Sequence, residues 1–237
     1  MSKIKAQLKM YYINSKKSFI IFWSIMLAIS VLGLAIVLYL RSKGHSGDFS
    51  TNNISAVVIF GAISSMVVYN ETLPYILNMG CTRKDFVIGF MSYNAVLSLV
   101  LSILFNILVL SEYFIYKVLG FNPHILGYVG NGISLSQVWY NILLQAAFLL
   151  AVVALFGLLS CINYLKGMMY LFGIGAVVIL LMFFSEVRAA ALKAIMFIAM
   201  AFVGEISSYR LILYSLVFSA LCYAVMYPIA RISQVKR

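Results

Sequence analysis

The chain has 237 residues, 64% of them hydrophobic and only 10% charged. Soluble domains run at about half apolar and a quarter charged, so this composition excludes an ordinary water-soluble enzyme and points to a membrane protein. The formal net charge of +11 then asks for an explanation in topology or in a partner.

Taken in order, residues 1–17 carry lysines at 3, 5, 9, 16 and 17, with Ile4, Leu8, Tyr11 and Tyr12 at helical spacing. This pattern predicts an amphipathic helix along the inner membrane surface, a frayed basic tail being the alternative. Six apolar stretches follow, at 18–40, 54–70, 86–110, 138–164, 168–185 and 211–229, none containing Asp, Glu, Lys, Arg or His. A span needs roughly 20 apolar residues to cross a hydrocarbon core about 30 Å thick. The expected fold is therefore an all-α integral membrane protein, one transmembrane domain over 1–237 with six spans. "RSKGHSGDF" after the first run holds no small-residue cleavage site, so that run reads as a retained span. Between the last two spans, 188–210 has an apolar core of 11 residues, "AIMFIAMAFVG". That is short for a crossing and reads as a re-entrant segment on the outer face, a seventh span being the rival.

With the N-terminus in the cytoplasm, the inner segments hold eleven Lys and Arg residues and the outer ones six. This satisfies the positive-inside rule, with both termini cytoplasmic, and accounts for the basic excess through topology and anionic lipid headgroups. Aromatic and basic residues are not interleaved on any soluble segment, so nucleic acid is not an expected partner.

The polar punctuation of the chain concentrates in the loop at 72–84, "TLPYILNMGCTRK". Thr72 suits an N-cap and Pro74 a first helical turn. Leu73, Tyr75, Ile76, Leu77 and Met79 would then form a short apolar helix that Gly80 ends in the left-handed conformation. Thr82 and Asp85, three apart, make a variant of the capping box, so the next helix starts at Arg83. An apolar helix facing water beside Arg83 and Lys84 reads as a docking site; a plain turn with topology-setting charges is the alternative.

All six acids, Asp48, Glu71, Asp85, Glu112, Glu186 and Glu205, fall in loops or at span ends, whereas ion-coupled transporters carry titrating groups inside their spans. Paired acids, a histidine cluster or a metal set are lacking: His45 and His124 are isolated, and Cys81, Cys161 and Cys222 are far apart. No Gly-rich loop ending in Gly-Lys-Ser/Thr is present to bind ATP, so uphill transport would draw energy from a partner. The polar span residues are neutral. Asn94, Ser98, Ser102 and Asn106 recur every four residues in the third span, and Asn141 and Gln145 open the fourth. They read either as interhelical hydrogen bonds or, for Asn94, Asn106 and Gln145, as the lining of a substrate cavity. Gly61 and Ser65 form one small-xxx-small pair, fit for a dimer seam or an internal contact.

At "LPYILNMGCTRKDFVIGF" the chain resembles the permease subunits of type-two ATP-binding-cassette (ABC) exporters, especially small six-span ones from Gram-positive bacteria. Their pattern of Pro, apolar residues, Met-Gly-x-(Thr/Ser)-Arg-Lys and an acid or aromatic is matched here by Pro74, Met79, Gly80, Thr82, Arg83, Lys84 and Phe86. The layout of spans extends the likeness over nearly the whole length. The resemblance implies that 72–84 is a coupling helix seated in a groove of a separate cytoplasmic ATPase. Leu73, Pro74, Tyr75, Ile76, Leu77 and Met79 would be the apolar insert, with Arg83 and Lys84 at the ATPase or lipid headgroups. It also implies two ATPases, which bind the ATP and magnesium, a second permease, identical or related, and location in the bacterial plasma membrane. Similar permeases carry amphipathic cargo such as lantibiotics, bacteriocins and phenol-soluble modulins. A non-transporting membrane sensor or scaffold that docks a cytoplasmic partner is the competing expectation.

Overall fold

A computed structural model describes residues 3–43, 53–119, 134–203 and 209–232. Among these residues the chain is wholly helical: α1 (Lys3–Ser42), α2 (Ile54–Asn78), α3 (Arg83–Val118), α4 (Leu135–Lys166), α5 (Met168–Met182), α6 (Ser185–Val203) and α7 (Tyr209–Ile232). Five helices, α1 to α4 and α7, are long and apolar enough to cross a membrane, and the bent pair α5–α6 makes a sixth if it counts as one span. Several such helices mark a multi-pass membrane protein. His45, His124, Asp48, Glu205 and the tail beyond Ile232 lie outside the described residues.

The core forms around α3 and α4, the two most buried spans. Small residues set the close approaches. Gly61 of α2 faces Val153 of α4, where an added Cβ would stand 3.3 Å from the valine methyl. One turn on, the Ser65 hydroxyl donates to the Val153 carbonyl at 2.9 Å. The small-xxx-small pair is thus an internal α2–α4 contact. From the α4 side, Ser160 donates to the Met66 carbonyl at 3.0 Å. Gly157 lies under the Phe90 ring, leaving 2.8 Å for a Cβ. On the far side of α4, Phe148 meets Phe202 edge-on with centroids 5.2 Å apart, and Tyr140 meets Tyr209 at 5.3 Å.

Three elements differ from the expected boundaries. The stretch 1–17 is not a separate surface helix: α1 runs unbroken from Lys3 to Ser42. No Gly or Pro stands before Gly33 to interrupt it. Its Tyr11 is buried and Leu8 packs against the core, while Tyr12 points outward. Likewise α2 does not stop near residue 70 but continues through Pro74 to Asn78. Thr72, expected as an N-cap, instead donates its hydroxyl back to the Val68 carbonyl inside the same helix. A mid-helix proline costs about 3 kcal/mol. Full burial of Leu73 and Ile76 returns about 1.5–3 kcal/mol each, enough to carry the helix through.

The third difference is at 168–210. The left-handed Gly167, φ 86°, ends α4 and starts α5, which stops at Met182 after 15 residues. That is about 22 Å, short of a hydrocarbon core of about 30 Å. Of the segment 188–210 expected to be re-entrant, residues 188–203 belong to the 19-residue helix α6, set at 101° to α5, a bend that suits a broken span or a re-entrant segment. The turn is made by Phe183 and Phe184, whose amides bond the Leu180 and Leu181 carbonyls. Ser185 and Glu186 then open α6, acidic residues being favoured at a helix start.

Candidate functional site

The α2–α3 elbow is built from local rules. Its first half is a Schellman motif: the Gly80 amide bonds the Leu77 carbonyl at 3.1 Å and the Cys81 amide the Ile76 carbonyl at 3.3 Å. Gly80 takes φ 75°, open to glycine because it has no Cβ. In the second half the Thr82 hydroxyl accepts from the Asp85 amide at 3.1 Å, and the Asp85 carboxylate accepts from the Thr82 amide at 3.2 Å. Both halves agree with the sequence reading. The elbow is therefore a rigid corner.

Packing then fixes the corner to the bundle. Leu73 and Ile76 are 0% exposed and belong to the main core, as do Tyr69, Phe86 and Phe90. Tyr69 meets Phe86 and Phe90 edge-on, with centroids 5.2 and 5.3 Å away. Leu77 packs against this core from its edge. Across the corner, Arg83 Nη1 donates to the Arg231 carbonyl, tying the first turn of α3 to the last turn of α7.

Of the eight residues singled out for docking, the structure leaves Tyr75, Met79 and Lys84 outward, at 59% and 69% exposure for the first two. Pro74, Leu77 and Arg83 are half-buried. Leu73 and Ile76 face inward, so the apolar surface offered to water is narrower than the whole segment. The sequence missed what stands beside it: an open groove of about 670 Å³ lined by Met10 and Asn14 of α1 and by Glu71, Pro74 and Tyr75 of α2. No periodicity joins residues sixty positions apart; only the docking of α1 along α2 brings them together.

The polar stripe of α3 divides between two neighbours. Near the elbow, Asn94 Nδ2 donates to the Tyr223 hydroxyl of α7 at 3.1 Å. Three turns on, Asn106 Nδ2 donates to Gln145 Oε1 of α4 at 2.7 Å and to its own helix at the Ser102 carbonyl. Ser102 donates to the Ile142 carbonyl of α4 at 2.8 Å, and Ser98 to Asn94 within α3. Asn94, Asn106 and Gln145 are all buried. The shift from α7 to α4 follows from geometry, since twelve residues at 100° each turn the stripe by about a third of a circle. In this arrangement the three residues stitch helices together, and their side chains bond to protein.

Comparison with models of protein families, with characterised proteins and with solved structures finds no match.

Glu112, expected in a loop or at a span end, lies within α3, which runs on to Val118, and is buried, 6% exposed. It follows Asn94 by five full turns and so continues the same face. At 36 residues α3 is about 54 Å long and outreaches the hydrocarbon core, which places Glu112 toward the end remote from the elbow. Cys81, Cys161 and Cys222 are free thiols. Among the described residues no three His, Cys, Asp or Glu side chains gather at one point.

Proposed function

We propose that the chain is the permease subunit of an ATP-driven exporter of the type-two ABC kind, driven at the α2–α3 elbow by a separate cytoplasmic ATPase. In this reading the protein sits in a bacterial plasma membrane with both termini inside. It pairs with a second permease, identical or related, works with two ATPase copies that hold the ATP and magnesium, and carries amphipathic peptides outward.

The observation that supports the reading is the corner itself, exposed at its tip and rigid behind it. Tyr75, Met79 and Lys84 are free to meet a partner. Leu73, Ile76 and Phe86 are held in the core one turn away, and Arg83 reaches α7. A push on the tip is passed to α2, α3 and α7 together as a rigid-body shift, as interfaces with two discrete packings require. The motif resemblance supplies the identity of the partner.

The test uses the intact chain, purified gently from its own membrane and reconstituted in vesicles. An ATPase subunit bearing a nucleotide-binding glycine-rich loop should co-purify, and amphipathic peptide should stimulate its ATP turnover. Tyr75→Asp with Met79→Asp should abolish both while leaving the chain monodisperse. An acid at Ile76 would not serve the same purpose, because it would break the core rather than the contact. A chain that binds the ATPase equally well with both acids in place, or whose complex never turns over ATP in response to cargo, contradicts the proposal. The second outcome, with binding kept, would favour a sensor or scaffold.

A further inference from the structure

At the elbow end of the bundle the charges are almost all of one sign. Lys9, Lys16 and Lys17 of α1, Lys84 of α3 and Arg231 of α7 are exposed there, and Arg83 is half-buried. Two described acids stand among them, Glu71 and Asp85. Asp85 is spent locally, its carboxylate accepting from the Thr82 amide as half of the capping box. The exposed Glu71 carboxylate has neither an ion pair nor a hydrogen bond among the described residues.

The surroundings of Glu71 specify what would pair with it. It lies in the open groove of about 670 Å³ between α1 and α2, together with Asn14, Met10, Pro74 and Tyr75. Glu71 and Tyr75 are four residues apart on the exposed face of α2, so carboxylate and ring are neighbours. A carboxylate, an amide oxygen and an aromatic face are the partners a planar guanidinium takes, by charge-assisted hydrogen bonds and by stacking. Met10 and Pro74 suit the methylene stem of such a side chain. An anion would be repelled by Glu71, and an apolar side chain would desolvate the carboxylate without pairing it. The groove is reached from water: Asn14 stands between the exposed Lys9 and Lys16, and lysines keep out of hydrocarbon.

We infer that this groove receives an arginine side chain of the cytoplasmic partner, with Glu71 as its counter-ion, Tyr75 as the stacking face and Asn14 as a further acceptor. The inference rests on the reading of the elbow as an ATPase contact, and it adds the charge pattern that the ATPase surface must carry. That surface is acidic where it meets the lysines, with one arginine set to enter the groove. Met79 and Tyr75 supply apolar contact area, and the pair at Glu71 fixes the register, because any other alignment sets like charges against each other.

The test has two arms, both on the intact chain in vesicles. In the first, binding of the co-purified ATPase is measured. Glu71→Gln keeps the size of an exposed side chain and removes its charge, and should weaken binding about tenfold, with Glu71→Arg weakening it at least about a hundredfold. Asn14→Phe fills the groove from the α1 side with Glu71 in place, and should weaken binding about tenfold. The second arm needs no ATPase. With Cys81→Ser, Cys161→Ala and Cys222→Ala as background, a fluorophore on Met79→Cys, one turn beyond Tyr75, reports a titration with butylguanidinium. A saturable response is expected, absent with butylsulfonate and lost in Glu71→Gln. Unchanged ATPase binding in Glu71→Gln, with Tyr75→Asp and Met79→Asp still abolishing it, would overturn the inference and leave the proposed function standing. A guanidinium response that Glu71→Gln leaves intact would overturn the site itself. A chain that no ATPase accompanies would overturn the proposed function and this occupant together.

Discussion

Asn106 donates its side-chain amide to Gln145 at 2.7 Å, both residues buried between α3 and α4. Between spans, where lipid tails are as apolar as the side chains, such bonds and close packing supply much of the specificity that water supplies elsewhere. An average interhelical bond in a membrane contributes only about 0.6 kcal/mol, yet a buried amide left without its partner costs about 1–3 kcal/mol.

Asn106→Leu or Gln145→Leu alone should therefore lower stability by about 1–3 kcal/mol, while the double substitution should recover much of the loss. Unfolding of the detergent-solubilised protein in a double-mutant cycle measures it. Strictly additive losses would show that the two side chains do not act as a pair.

Close packing gives a sharper contrast. Gly157→Ala drives a methyl into the Phe90 ring, with 2.8 Å available, and should cost about 1–3 kcal/mol. Gly173→Ala, with nothing within 4 Å, should leave stability unchanged or raised by up to about 1 kcal/mol, as expected for Ala replacing Gly inside a helix. Thermal unfolding of the two variants side by side should separate them by several degrees.

The elbow's rigidity can be weakened without touching its exposed tip. Thr82→Ala removes the hydroxyl that accepts from the Asp85 amide and should cost about 1 kcal/mol. Gly80→Ala forces a Cβ into the left-handed conformation seen at φ 75° and should cost about 1–2 kcal/mol. Hydrogen exchange at the Gly80, Cys81 and Asp85 amides should accelerate in both, with the amides of α4 unaffected.

How far the sequence carried is visible in these same residues. The stops and starts were legible because single side chains make them: Gly80 closes a helix, and Thr82 with Asp85 opens one. The stretches that became α1, α2, α3, α4 and α7 were legible from apolar length alone. The inward face was not, because Leu73 and Ile76 read the same as Tyr75 and Met79 when lipid, protein and partner all accept apolar surface. Only the continued spacing from Ser65 through Tyr69 and Thr72 to Ile76 marked the buried side of α2, and Pro74 masked it. Glu112 was placed at a span end for the converse reason: the helix persists two turns beyond its last apolar run, and composition does not announce that. The groove shared by Asn14 and Glu71 is purely tertiary.

The account rests on which side of the bilayer the elbow occupies. Met79→Cys, in a background without the native thiols, presents an exposed thiol at the corner, and its reaction with a membrane-impermeant maleimide reads that side directly. Labelling confined to inside-out vesicles is the predicted result. Labelling in intact cells would put the corner outside, beyond the reach of any nucleotide-driven subunit, and would contradict the proposed function.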